Sequence, residues 1–308
     1  MLTKSRRPPP GEAADRTAEL VEGLAALLAA GVPAAAAWEY LSALTPHPFA
    51  RRVVASTRQG ASTAQAVVAA STGPTADPSH PVLGAVWWVA DAAGAPLAPA
   101  LGELAAALRD NAETEREVQQ ALAGPRATGA LVSWLPAAGF VLAFLLGVDP
   151  VGALTGSPVG WGLAVVGFGL IGLGRLWTSA LVRRAAPPAV FAGISEELIS
   201  VGLSAGLSVG GAEELARSGV SRFGLAVREN AAEQILRLAD AAGAPPADLL
   251  RSSGRQARAQ ERTDGRRRAS RLAVWLMLPL GICVLPSFML LGVAPVVLAI
   301  VSSTVGSF

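Results

Sequence analysis

The 308-residue chain contains one cysteine, Cys283, two histidines, His47 and His80, and one lysine, Lys4. A single cysteine excludes a disulfide framework within the chain and any cysteine-based zinc site. Two histidines cannot build a histidine-rich metal centre, and their spacing rules out a His-Glu-x-x-His helix. A lysine only at position 4 excludes a phosphate-binding loop that ends in Gly-Lys-Ser/Thr. Charge is also scarce. Charged residues make up 16 % of the chain, against about 25 % in a typical soluble domain. The net charge of +2 offers no electrostatic case for a nucleic-acid partner. Aromatics are only 5 % of the residues, so Ala, Gly, Leu and Val supply most of the apolar content. With 52 % hydrophobic residues and a mean hydropathy of +0.45, the chain has ample apolar surface to bury, which excludes global disorder.

The scarcity of charge is uneven. Residues 127–174 carry one charge, Asp149, and residues 272–308 carry none. The rest has the charge density of a soluble protein. Leu131–Val148 is an uncharged run of 18 residues, about 27 Å as a helix and enough to span a hydrocarbon core. Val159–Leu173 reaches spanning length if it continues to Trp177, with Arg175 snorkelling at its end. Asp149-Pro150 and Gly156-Ser157-Pro158 form a short turn between the two. A third apolar stretch starts at Leu272 and reaches Val293, broken by Pro279 and Pro286. Residues 294–308 extend it as part of one long kinked span, lie at the interface as a tail or form a short return. Arg126, Arg175, Arg183, Arg184, Arg266, Arg267, Arg268 and Arg271 flank these runs on one side only. The positive-inside rule therefore predicts a cytoplasmic N-terminus, two cytoplasmic charged blocks and an external C-terminus. Lys4, Arg6, Arg7 and Pro8-Pro9-Pro10 read as a flexible leader over 1–16, since no apolar run follows them.

The chain repeats itself. Ala90-Asp91-Ala92-Ala93-Gly94-Ala95-Pro96 recurs unchanged as Ala239-Asp240-Ala241-Ala242-Gly243-Ala244-Pro245. Leu28-Ala29-Ala30-Gly31 answers Leu203-Ser204-Ala205-Gly206, Leu135-Pro136 answers Leu278-Pro279, and Leu145-Leu146-Gly147-Val148 answers Leu290-Leu291-Gly292-Val293. Apolar positions such as Leu20, Val21, Leu24, Leu27 and Leu28 follow helical spacing. Gly31, Gly94, Gly206 and Gly243 suit the residue just past a helix. Pro33, Pro96 and Pro245 suit the start of the next one. No strand with period-two alternation is present. The expected fold is an all-α integral membrane protein with two duplicated cytoplasmic antiparallel helix bundles, 17–125 and 185–268. Membrane helices follow each bundle: 131–148 and 159–177 after the first, and the region 272–308 after the second. The first copy is longer, and the proline- and glycine-rich stretch 45–81 is expected to hold the excess as loops.

Candidate chemistry is sparse. His47 and His80 stand beside prolines and read as solvated loop residues, and Cys283 as a small packing residue. Glu196-Glu197 and Glu213-Glu214 fall at helix starts, where the dipole favours them. The spans hold no interior charge of the kind a proton-coupled carrier needs. Gly156, Gly160 and Gly167 fit close helix packing in the membrane. Two charged stripes are more specific. Arg251, Arg255, Arg258, Arg262 and Arg266 fall on one helix face at 100° per residue, and Glu103, Asp110, Glu113 and Glu117 form an acidic face in the first copy. The register of the repeat sets Glu113 against Arg262 and Glu117 against Arg266. Residues 11–125 carry a net charge of −6 and residues 175–271 carry +5. Both stripes can be solvated faces, the basic one can meet anionic lipid, or the two can dock on each other within the chain or between subunits.

Together, the duplicated helical blocks, turns such as Gly94-Ala95-Pro96-Leu97, the Leu135-Pro136 span entry and the Leu285-Pro286-Ser287-Phe288 to Pro295 ending resemble the type II secretion F-domain family. They are most similar to its tight-adherence pilus branch, with the two related patterns joined in one chain. Pro246, where the first copy has Leu97, departs from the pattern. The resemblance implies a non-enzymatic inner-membrane platform protein without a cofactor. It also implies its partners: a hexameric secretion ATPase, a pilin or pseudopilin, the lipid bilayer, and a second copy or related platform subunit. A membrane-anchored signalling adaptor and a permease subunit are the alternative classes.

Overall fold

The computed structural model describes residues 12–72, 77–145, 158–185, 191–227 and 231–294, with the single positions 152 and 297. Most of the leader, Gly156, the end of the first expected span after Leu145 and nearly all of the C-terminal tail after 294 lie outside the described residues. Regular structure among the described residues is helical. The chain divides into two units, one of residues 1–117 and 188–265, the other of 118–187 and 266–308.

In the first unit, α1 (Glu12–Ala29), α2 (Ala34–Leu44), α3 (Pro48–Arg58), α4 (Thr63–Thr72) and α5 (Ser79–Ala93) precede the start of α6 (Leu97–Leu145). The later block adds α8 (Ile194–Ser204), α9 (Val209–Phe223), α10 (Ala231–Ala242) and the start of α11 (Pro246–Trp275). The stretch 45–81, expected to be loops, instead contains α3, α4 and the start of α5. Its prolines start helices rather than break them. Pro48 stands in the first turn of α3, where proline's missing N–H costs no hydrogen bond, and the His47 side chain accepts from the Phe49 N–H at 3.3 Å. Phe49, Ala50, Val53 and Val54 then form a buried face at helical spacing.

Gly31, Gly94, Gly206 and Gly243 adopt left-handed φ values of +84°, +72°, +88° and +61°. After each, the next N–H reaches back five residues, as in Val32 to Leu27 at 3.0 Å and Ala244 to Ala239 at 3.0 Å. This closes the helix end with two otherwise orphaned carbonyls satisfied. Pro33 takes the capping position ahead of α2 rather than its first turn.

The core is centred on α5, which buries residues around its whole circumference, as a fully enclosed helix must. From the first block α4 packs against it, and from the second block α8 and α9 do so. A Cβ on Gly84 would come within 2.5 Å of both Ser71 on α4 and Phe223 on α9. On the facing helix, a Cβ on Gly219 would meet Val89 at 3.0 Å, and the Arg222 guanidinium lies 5.6 Å from the Trp88 ring centre. One continuous hydrophobic cluster therefore runs from Ala18 to Leu250. The two blocks share a single core, with α8 and α9 of the second packed on α5 of the first.

The second unit contains α7 (Pro158–Ala185) and the helical segment that continues from α11 through Val293. Gly160, Gly167 and Gly174 repeat every seven residues on the buried side of α7. A Cβ at Gly167 would strike Leu291 at 2.5 Å, and one at Gly174 would press on Cys283 at 3.1 Å. The facing segment includes two π-helical turns, Leu280–Val284 and Met289–Val293. Each contains the residue four positions before a proline, Pro286 or Pro295, whose ring would clash with that carbonyl in a regular helix. The outward faces are apolar: Phe168 is 63 % exposed and Val274 65 %. Among the described residues, two helices are long and apolar enough to cross a membrane, Pro158–Leu181 and Pro246–Val293, and only 17 % and 29 % of their apolar windows are buried. A core helix of a soluble domain would bury most of that surface.

Candidate functional site: the charge seam between α6 and α11

Helix α6 enters the first unit with Leu101, Leu104, Ala105, Leu108 and Ala112 turned to the core. This spacing leaves its charged residues on the flanks. Its basic residues meet α1, where Arg116 binds Asp15 at 2.9 Å and Arg109 binds Glu22. Its acidic residues meet α11. Arg255 approaches Glu103 at 3.8 Å, Arg258 approaches Asp110 at 3.7 Å, and Arg262 bonds Glu113 at 2.6 Å through Nη2 and Glu117 at 3.2 Å through Nε. The numbers rise together on both helices, so the two run in the same direction. Glu113 and Arg262, 149 residues apart, touch each other. Arg251 pairs instead with Asp248 of its own helix at 3.3 Å, and Arg266 belongs to the second unit. Paired with two carboxylates, Glu117's hydrogen bond first among the causes, the Arg262 guanidinium holds its proton more tightly than usual.

The seam has a buried end that the sequence reading missed. Glu197 and Arg258 pair at 3.3 Å, with side chains only 8 % and 11 % exposed. Burial pushes the Glu197 carboxyl up to about 7. The Arg258 charge opposes that rise, and Glu103 adds to it. The oxygen Oε1 of Glu197 and Nε of Arg258 are buried without a hydrogen bond. Helix-dipole compensation alone therefore does not account for this acid. Two glycines allow the approach. Gly193, at φ +81°, ends against α11, and a Cβ there would lie 2.8 Å from the backbone of Gly254. A glycine inside an arginine-rich helix costs about 1 kcal/mol relative to alanine, and that anomaly at Gly254 was the available sequence signal.

The two histidines are also corrected. His47 and His80 are 5 % and 6 % exposed rather than solvated. The helix starts place them against Phe49, whose ring centre is 4.7 Å from that of His80. Asp77 lies 3.5 Å from His80 and accepts from Thr17 at 2.7 Å. Burial lowers both imidazoles, His80 to about 4, with Asp77 opposing. No group of three or more His, Cys, Asp or Glu among the described residues could hold a metal ion.

Two overlapping stretches, Gly202-Leu203-Ser204-Ala205-Gly206 and Gly206-Leu207-Ser208-Val209-Gly210, spell the Gly-x-Ser-x-Gly pattern of serine hydrolases. That chemistry needs a strand-to-helix turn. Here Ser204 donates to the Val201 carbonyl at 2.8 Å at the end of α8, and Ser208 caps α9 by accepting from Gly211 at 3.3 Å. Both serines therefore serve helix ends.

The chain is thus an all-helical protein whose charged helices form one unit and whose second unit exposes helices of membrane-crossing length. Residues 20–147 match the family model of the type II secretion system (T2SS), protein F, and this match supports an F-type domain over that segment. No curated protein and no solved structure matches the chain. The matched segment runs from Leu20, within α1, through α6 and includes Glu103, Asp110, Glu113 and Glu117. The F-type domain and the two candidate membrane helices together point to an inner-membrane protein.

Proposed function

We propose that the chain is a non-enzymatic platform protein of a pilus-assembly or type II secretion-like machine in the bacterial inner membrane. In this reading it couples a cytoplasmic secretion ATPase to the insertion and extraction of a pilin or pseudopilin. The observation that carries it is the protein F match over residues 20–147. It is supported by the charged helical unit, suited to a cytoplasmic partner, and by the apolar outward faces of the second unit, suited to lipid and to a pilin's membrane helix. The tight-adherence branch, the duplication of the F-type block and a multi-pass topology with cytoplasmic N-terminus and external C-terminus belong to the same proposal. The seam of Glu103, Asp110, Glu113 and Glu117 with Arg255, Arg258 and Arg262 then holds the two blocks in register beneath the membrane.

The test is affinity purification of the full chain from membranes. A hexameric ATPase and a small pilin-like protein should be recovered in stoichiometric amounts. Recovery of neither, with a histidine kinase or a transport ATPase in their place, would replace this reading. Reporter fusions after Asp149 and at Phe308 check the topology independently, and cytoplasmic activity at either position contradicts it.

A further inference from the structure

Helix α11 has two faces with different chemistry. At 100° per residue, Arg251, Arg255, Arg258 and Arg262 lie on one side, and Ser253, Gln256, Ala257 and Gln260 on the opposite side. The arginine face is occupied by the seam. The uncharged face borders a cavity of about 220 Å³ that also reaches Phe191, Ile194, Ser195 and Glu196 at the start of α8. Among the described residues that line it, Glu196 is the one ionisable group. Glu196 is only 5 % exposed, and among the described residues none offers it a hydrogen bond or an ion pair. A cation brought to this carboxylate would gain an ion-pair partner at a site of low solvent exposure. The positive end of α8 amounts to about half a unit charge, so it compensates the full carboxylate only in part. The cavity is smaller than the roughly 300–1,000 Å³ of a drug-sized site and suits one side-chain head. Apolar walls from Phe191, Ile194 and Ala257 suit a methylene stem, and the amides of Gln256 and Gln260 in the lining are capable of accepting from N–H donors.

We infer that this cavity is a socket for a basic side chain, an arginine or lysine presented by a partner protein, with Glu196 as its counter-charge. The site owes nothing to the ATPase and pilin reading, and its test succeeds or fails separately.

The experiment uses the full chain in lipid nanodiscs and ligand-observed NMR titration with propylguanidinium, its uncharged isostere propylurea, and the capped peptide Gly-Arg-Gly. Saturable binding of propylguanidinium and of the peptide, without binding of propylurea, is expected. Glu196→Gln should weaken both by at least about tenfold, while Glu213→Gln, on α9 and outside the cavity lining, leaves them unchanged. Ser253→Leu, which fills the cavity and keeps the charge, should abolish both, and it decides the matter if Glu196→Gln fails to fold. Equal binding to either variant, binding of propylurea, or no saturable binding to the unaltered chain overturns the site. Binding of propylguanidinium but not of the peptide overturns the assignment to a protein side chain.

Discussion

At Glu197, desolvation and a guanidinium pull in opposite directions, and desolvation wins: the carboxyl stands near 7 rather than 4.5. Because the folded state binds this proton more tightly than the unfolded chain, the resulting stabilisation is complete below about 4.5. It is lost as pH rises through 7. Glu197→Gln should therefore gain stability relative to the unaltered protein across that window, by an amount of order 1–3 kcal/mol. Thermal unfolding of the full chain at pH 5 and pH 8 checks this, and an unchanged difference between the two proteins would show that Arg258 controls the site. His80 has the opposite sign. Held near 4 against an ordinary 6.5, its neutral form stabilises the fold above 6.5, and that contribution falls away as the pH drops towards 4. His80→Phe, which keeps a ring against Phe49, should flatten the acid limb of the stability profile below pH 6.5. Exposed pairs such as Arg262 with Glu113 are individually weak because water screens them, so the seam sets register through several contacts rather than through one strong bond.

Among the elements, α5 bears the greatest packing constraint. Gly84 is the point where α4 and α9 both close on it, and a Cβ there would have 2.5 Å of space on two sides. Gly84→Ala should destabilise the first unit by about 1–3 kcal/mol, although alanine is the better helix former. Denaturant unfolding followed by tryptophan fluorescence reads this directly through Trp87, which is 1 % exposed. Gly102, on α6 with open space around it, provides the control: alanine there should be neutral or slightly stabilising. The same contrast holds in α7. Gly167 and Gly174 sit against Leu291 and Cys283, whereas Gly162, Gly169 and Gly172 meet nothing within 4 Å. A count of glycines cannot separate these two sets; the seven-residue spacing of Gly160, Gly167 and Gly174 can. The loops expected over 45–81 failed for a related reason. Prolines and glycines mark the ends of elements, and three short helices have as many ends as a long loop has turns.

At the scale of the molecule, the two blocks behave as one folding unit, since α8 and α9 cover the face of α5 that contains Trp88 and Val89. A fragment of residues 12–117 should therefore expose apolar surface and lack a cooperative transition. Co-expression with residues 191–265 should restore one, as monitored by circular dichroism and dye binding. If the fragment unfolds cooperatively alone, the shared core is not required. The sequence by itself determined the helical class, the four glycine turns, the apolar runs and the two opposed charge stripes. Each of these is a local property, written in spacing along a few turns of chain. Only the tertiary structure decided that the blocks merge, that Arg258 turns inward to Glu197, that Gly193 and Gly254 touch, and that Glu196 is left facing a cavity. Those outcomes depend on residues some 60 to 150 positions apart. Their juxtaposition is set by which apolar faces must be buried together, and no local pattern encodes it.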